Sequence, residues 1–188
     1  MKFRRKIMVL IYPLMMKILK VTGKGMRILK NENNVSPPES FYSLKAVLND
    51  GEEISFEAFR NKKILVVNLA SECGFTPQYK ELELLNRSGK NLIILGFPSN
   101  DFKKQEPGND EEILNFCREK YGVAFPLFQK NQVRGNLKQP IYQWLSDKNK
   151  NGWNEEEPKW NFYKYLIDEE GKLSAVFSSP VSPLDIKI

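Results

Sequence analysis

The stretch Lys62–Lys80 constrains the fold most, because it joins an apolar run to a turn and then to a helical pattern. Residues 64–70 are rich in aliphatic and β-branched side chains, which is typical of a strand buried on both faces of a sheet. Cys73 follows, and Thr76-Pro77 predicts a helix N-cap with proline at the first helical position. The thiol therefore lies near a helix start, where backbone N–H groups and the helix dipole favour thiolate over thiol.

The residues alone leave the role of Cys73 open. An isolated cysteine in a soluble protein is most often an inert, buried, small apolar residue. The second cysteine, Cys117, comes 44 residues later, so the two do not form a C-x-x-C redox pair. A structural disulfide, two inert thiols and a catalytic pair all remain possible on counting alone.

The surrounding pattern is that of an α/β protein. A second buried strand, Leu92–Phe97, follows the Cys73 helix after a short turn and predicts a right-handed parallel βαβ unit. Residues 41–46 and the turn Asn49-Asp50-Gly51 predict an opening hairpin. Two further strands are predicted at Trp160–Ile167 and Leu173–Phe177, around a turn at 168–171.

Two helices are predicted after the second strand. The first, Asn109–Lys120, has an asparagine cap, acids in its first turn and cations at its end. Cys117 shares its apolar face with Ile113 and Phe116, so packing in the core is its simplest interpretation. The second is a short helix at Pro140–Leu145. The polar segment 147–159 is expected to be mobile, with Trp153 exposed.

Composition excludes several classes of site. The chain has no histidine, which rules out Ser-His-Asp triads, histidine-dependent zinc sites and histidine acid/base catalysis. Two cysteines without histidine are a poor metal site, and we expect neither a metal nor a cofactor. The net charge of +6 belongs to residues 1–30, which hold nine bases and no acids and leave 20 bases against 23 acids elsewhere. The basic pI therefore does not indicate nucleic-acid binding by the fold.

Residues 1–38 are interpreted as a basic amphipathic segment and linker, followed by one domain at 39–188. On a helix, one apolar stripe forms, with lysines gathered on the other side; the stripe comprises Ile7, Leu10, Ile11, Leu14, Ile18 and Val21. This pattern suits a helix lying on an anionic membrane surface. An uncleaved export signal and a disordered extension remain alternatives, because the basic start precedes ten apolar residues without an A-x-A-like cleavage site. We expect a cytoplasmic protein, which could associate with a membrane or the envelope through residues 1–30.

Four blocks in order resemble the glutathione peroxidase family, most closely its cysteine-containing, thioredoxin-dependent members. The blocks are NLASECGFTPQYKELE, LGFPSNDFKKQEPGNDEEILNFC, YGVAFPLF and KWNFYKYLIDEEGK, and the resemblance covers residues 40–182. It implies a thioredoxin-like fold with a central mixed sheet flanked by helices. It also implies a catalytic group of Cys73, Gln105, Trp160 and Asn161, with Cys117 as the resolving cysteine.

The resemblance implies a thiol peroxidase for hydrogen peroxide or for organic and lipid hydroperoxides. Cys73 would become a sulfenic acid, and a Cys73–Cys117 disulfide would then be reduced by thioredoxin. We expect the Cys117 helix to be only marginally stable, because the cysteine must reach Cys73. Two alternatives stay open: a glutathione-dependent peroxidase that does not use Cys117, and a slow redox sensor. Ser99 stands where many relatives have a further cysteine, and the short segment before Trp160 favours a monomer.

Overall fold

The computed structural model of the chain describes residues 2–89 and 91–188, with side chains described from Leu10 onward. The helices are α1 (Lys2–Thr22), α2 (Gln78–Asn86), α3 (Asp110–Tyr121), α4 (Pro140–Leu145) and α5 (Lys148–Asn151). The strands are β1 (Ile28–Lys30), β2 (Lys45–Val47), β3 (Glu53–Ser55), β4 (Lys63–Leu69), β5 (Leu92–Pro98), β6 (Lys164–Ile167) and β7 (Leu173–Phe177).

A five-stranded mixed sheet organises the molecule, with the strand order β1-β7-β6-β4-β5. Strands β4 and β5 are parallel, in register from Lys63↔Leu92 to Leu69↔Pro98, and the other neighbours are antiparallel. Helix α2 connects β4 to β5, so the predicted βαβ unit is confirmed. The β2–β3 hairpin forms a separate two-stranded sheet.

The interior strand β4 is mostly apolar because both of its faces are covered. Leu65, Val67 and Leu69 belong to one core cluster, which also contains residues of α2 and α3. Ile64 and Val66 point into a second cluster, which contains residues of α4 and the aromatic rings before the hairpin. Side chains alternate between the faces of a strand, so the apolar residues of β4 are divided between two cores.

Two sequence-based boundaries were wrong. The hairpin begins at Lys45, because Phe41–Ser43 forms a 3-10 turn. Strand β6 begins at Lys164 instead of Trp160, because Phe162 adopts a left-handed φ of 64° that interrupts an extended chain.

The segment 147–159 is ordered by internal hydrogen bonds. The buried Asn151 and Asn154 side chains bond to backbone carbonyls of α4, at Trp144 and Leu145 respectively. The Trp153 indole is partly buried and donates to the Leu173 carbonyl at 2.7 Å. The expectation of a mobile segment with an exposed tryptophan was therefore wrong.

The basic N-terminal segment contacts the fold through both its strand and its helix. Strand β1 pairs with β7 at the edge of the sheet, a pairing that the sequence analysis missed. Helix α1 contacts α2, where the Tyr12 hydroxyl donates to Glu81 at 2.7 Å. The domain boundary after residue 38 remains a prediction, but residues 28–30 form part of the sheet. Among the described residues, no helix has the length and apolarity needed to cross a bilayer.

Candidate active site

Cys73 lies in a hydrogen-bonded turn between β4 and α2. The Thr76 hydroxyl accepts the Cys73 backbone N–H at 2.9 Å and donates to the Ala70 carbonyl at 2.9 Å. Helix α2 instead has Pro77 at its N-cap, without a side-chain hydrogen bond. The predicted capping role of Thr76 was therefore wrong, because its hydroxyl is used to close the turn that holds the thiol.

A buried asparagine within β4 fixes the segment that carries Trp160 and Asn161. The Asn68 side chain donates to the Trp160 carbonyl at 3.0 Å and accepts the Tyr163 N–H at 2.9 Å. The Phe162 N–H also bonds to the Asn68 carbonyl at 2.7 Å. Asn68 thus bonds to the residues on both sides of the turn at Phe162, which has a left-handed φ. Sequence reasoning missed it, although one fully buried amide within an apolar strand was a usable signal.

Gln105 approaches this group from the loop after β5. Its side-chain Oε1 accepts from Asn161 Nδ2 at 2.9 Å, and its backbone carbonyl accepts the Glu72 N–H at 3.0 Å. Lys103 and Lys104, just before it, have positive φ values of 50° and 53°. The loop is therefore bent so that Gln105 contacts both the Cys73 turn and Asn161.

The sulfur of Cys73 is enclosed by N–H donors. The Phe75 backbone N–H donates to Sγ at 3.4 Å, and the side chains of Asn161 and Trp160 lie close enough to the thiol to lower its pKa. The Trp160 ring is itself held beside Phe102, with 5.8 Å between ring centroids. Cys73, Trp160 and Asn161 therefore meet, while Gln105 joins the group through Asn161.

The thiol is only 2% exposed, and this burial has an electrostatic consequence. Burial raises the pKa of Cys73, while the N–H donors oppose that shift by favouring the charged sulfur. The net direction is upward, so the expectation of a thiolate favoured at rest was wrong. Two features account for this: α2 begins only at Gln78, and desolvation outweighs the four donors.

Cys117 is fully buried on α3 and remains a free thiol, as does Cys73. Both belong to the core cluster on the α2–α3 side of the sheet. Burial raises the pKa of Cys117 to about 12, and the neighbouring Tyr79 side chain opposes part of that rise. Tyr79 also packs edge-on against Phe162, at 5.4 Å between centroids. A single aromatic side chain therefore links the Asn161 segment to the helix that carries Cys117.

Glu106 is a second residue that the sequence analysis missed. Its side chain is fully buried; Oε1 accepts from Ser71 Oγ at 2.6 Å, and Oε2 has no hydrogen-bond partner. Burial raises the pKa of this carboxyl to about 7. Glu106 thus places a carboxyl that titrates near neutrality between the Cys73 turn and α3.

Comparison with known proteins places this site in a family. The family model for glutathione peroxidase matches residues 41–146, more than half of the chain. The chain belongs to the glutathione peroxidase family.

Individual relatives extend the match beyond that model. Glutathione peroxidase-like peroxiredoxin 2 of Saccharomyces cerevisiae is 45% identical over 146 residues, covering 77% of this chain and 90% of the relative. Hydroperoxy fatty acid reductase gpx1 of Synechocystis is 41% identical over 154 residues, covering 78% and 91%. This glutathione peroxidase homologue is accordingly a thiol peroxidase that reduces hydroperoxides.

Solved structures support the same fold. The crystal structure of Trgpx in its apo form is 35% identical, with a TM-score of 0.59 over 77% of this chain and 88% of that chain. A thioredoxin family thiol:disulfide interchange protein from Chlorobium tepidum is 18% identical, with a TM-score of 0.54 over 81% and 91%. The predicted thioredoxin-like fold is confirmed.

Proposed function

We propose that the peroxidase works through a two-cysteine cycle, with Cys73 as the residue that attacks peroxide and Cys117 as the residue that resolves it. The observation that carries this proposal is the enclosure of Cys73 Sγ by the Trp160 and Asn161 side chains. Gln105 extends the group through its hydrogen bond to Asn161. These neutral donors suit a sulfur that becomes negative during reaction and an oxygen that leaves with negative charge.

In the first step the hydroperoxide is the oxidant, and it takes two electrons from the Cys73 sulfur. Cys73 Sγ attacks one oxygen of ROOH, the O–O bond breaks, and the thiol proton ends on the departing RO group. The products are a Cys73 sulfenic acid and ROH. Because burial raises the pKa of Cys73, the sulfur must give up its proton as it attacks, and that proton passes to the departing oxygen. This suits a chain without histidine.

The second step joins the two cysteines. Cys117 Sγ attacks the Cys73 sulfur, the S–O bond breaks, and the Cys117 proton leaves with the hydroxyl as water. The Cα atoms of a disulfide are typically about 5.5–6 Å apart. Cys117 is buried on α3, next to Tyr79 of α2. Local loosening of α3 would free Cys117 for this bond. A thioredoxin-type dithiol then reduces the disulfide by exchange.

Lipid hydroperoxides are the proposed substrate class beside hydrogen peroxide. The name of the Synechocystis relative describes reduction of hydroperoxy fatty acids. The basic, acid-free residues 1–30 also support a membrane-surface contact. We infer a monomer at the cytoplasmic side of a membrane.

Steady-state peroxide consumption by the reduced protein tests the cycle. We expect turnover with a thioredoxin system, no turnover for Cys73→Ser, and a first turnover without recycling for Cys117→Ser. The matched control Ser99→Ala changes a buried residue that stands in the same loop as Gln105 but has no role in the cycle.

Two results would replace the two-cysteine cycle with a different function. Full turnover of Cys117→Ser with glutathione would establish a one-cysteine peroxidase. A single slow oxidation without turnover under either reductant would instead identify a redox sensor.

A further inference from the structure

Helix α1 contacts the rest of the molecule through one face. Tyr12 and Met16, four residues apart, are each only 7% exposed. The Tyr12 hydroxyl bonds to Glu81 of α2, and Lys20 forms an ion pair of 2.7 Å with Asp185 near the C-terminus. From Leu10 onward, the described side chains hold the helix by two separate polar contacts and a small apolar contact.

The opposite face of α1 is apolar and open to solvent. Its large side chains are Leu10 at 80% exposed, Ile11 at 48%, Leu14 at 62%, Ile18 at 53% and Val21 at 81%. These are the described members of the apolar stripe predicted from the sequence. The stripe thus faces away from the domain and contributes nothing to its core. A contiguous exposed apolar face of this kind typically marks an interaction surface.

The charge around this face favours an anionic partner. Residues 1–30 contain nine bases and no acids, whereas the remainder carries 20 bases against 23 acids. Lys17 is exposed and neighbours Leu14 and Val21 at helical spacing, so it lies at the edge of the stripe and not on the opposite side, where the sequence analysis predicted it. Lys24 is exposed just beyond the end of the helix. Apolar side chains beside lysines match the two layers of an anionic bilayer surface, the acyl chains and the headgroups.

We propose that the outward face of α1 is a binding site for anionic phospholipid bilayers, on which the helix lies in the plane of the interface. This deepens the membrane contact included in the proposed function. The leucine, isoleucine and valine side chains insert below the headgroups, and Lys17 and Lys24 pair with phosphates. Because the other face of α1 contacts α2, which follows the Cys73 turn, binding holds the peroxidase domain at the bilayer where lipid hydroperoxides form.

Vesicle cosedimentation of the full chain tests this inference. We expect binding to vesicles that mix phosphatidylglycerol with phosphatidylcholine, weak binding to phosphatidylcholine alone, and release as salt is raised. Leu14→Glu should reduce the partition coefficient about tenfold or more, and Lys17→Glu combined with Lys24→Glu should reduce it about tenfold or more.

Matched controls change the same residue types elsewhere. Leu137→Glu alters a leucine that is 79% exposed outside α1, and Lys62→Glu alters an exposed lysine on the domain. Neither should change binding by more than about twofold, since both positions lie outside the proposed surface.

Two outcomes would overturn the inference. One is equal partition of the wild type and Leu14→Glu. The other is a stable dimer in light scattering that Leu14→Glu dissociates, which would assign the stripe to a second copy. Hydrogen peroxide turnover in solution without vesicles, measured on the same variants, should be unchanged. That assay separates failure of membrane binding from failure of the peroxidase proposal.

Discussion

At the scale of single residues, burial governs the chemistry of this site. Cys73 is surrounded by donors that favour a charged sulfur, yet burial raises its pKa. The sequence predicted the position of the thiol but not this direction, because the desolvation of a side chain depends on residues far away in the chain. Trp160 and Asn161, which lower the pKa of the thiol, lie almost 90 positions from it in the sequence.

The same limit explains which residues could be named in advance. Gln105, Trp160 and Asn161 were named through family resemblance, since their spacing alone carries no chemical signal. Asn68 and Glu106 were missed because their importance comes from enclosure within the folded core. A polar residue in an apolar strand could have identified Asn68, whereas nothing local distinguishes Glu106 from a solvated loop carboxylate.

Glu106 gives a prediction about pH and stability. Its folded-state pKa of about 7 lies above the ordinary value of 4.5. The folded state therefore binds this proton more tightly than the unfolded state. The contribution to stability is full below pH 4.5 and is lost as pH rises through about 7.

Replacement by an uncharged isostere should remove this dependence. The wild type should lose stability as pH rises from 4.5 past 7, whereas Glu106→Gln should not. The difference between their free energies of unfolding should therefore change in favour of the variant by up to about 3 kcal/mol. Urea denaturation across that range measures the difference. Ser71→Ala, which removes the bond that lowers the pKa of Glu106, should extend the wild-type decline to higher pH. A constant difference between wild type and Glu106→Gln would contradict the assignment.

At the scale of elements, α3 is the part of the fold that the proposed cycle must disturb. Both ends of α3 are capped. Asn109 and Glu112 form a capping box, and Gly122 ends the helix with a left-handed φ of 62°. Such caps stabilise a helix by about 1 kcal/mol each. The structure thus gives no local reason for marginal stability, and the oxidation of Cys73 must provide the driving force for release of Cys117.

This leads to a prediction about backbone exchange. Amide hydrogen exchange in Asp110–Tyr121 should be faster in the peroxide-oxidised protein than in the reduced protein, because a Cys73–Cys117 bond draws Cys117 out of its helical position. The control is Cys117→Ser, in which oxidation should leave this exchange unchanged. Equal protection of oxidised and reduced wild type would show that α3 need not open.

The strands illustrate what periodicity can predict. Strand β4 and its partner β5 were located within one residue, because their apolar runs are long and bounded by turns. The start of β6 was misplaced because the alternation from Trp160 continues through a left-handed residue, Phe162, which no hydrophobic pattern reveals. That error falls at the site itself, where the chain departs from regular structure.

At the scale of the whole molecule, the Cys73 site and the outward face of α1 serve different parts of the proposed function. The thioredoxin-like fold gathers Cys73, Gln105, Trp160 and Asn161 from three separate loops. The basic segment adds β1 to the sheet edge and holds α1 with its apolar stripe outward. The sequence predicted the stripe, but its orientation depends on the Tyr12–Glu81 and Lys20–Asp185 contacts, which join distant parts of the chain.

The central claim is that Cys73 and Cys117, both free in this structure, form one catalytic pair. Its most direct test is peptide mass spectrometry of reduced protein treated with an equimolar amount of hydrogen peroxide and then quenched with a thiol-alkylating reagent. The two-cysteine cycle predicts a linked pair of peptides containing Cys73 and Cys117, with the link absent in Cys73→Ser. Cys73 oxidised to sulfinic acid beside an alkylated Cys117, or Cys73 left unoxidised, would contradict it.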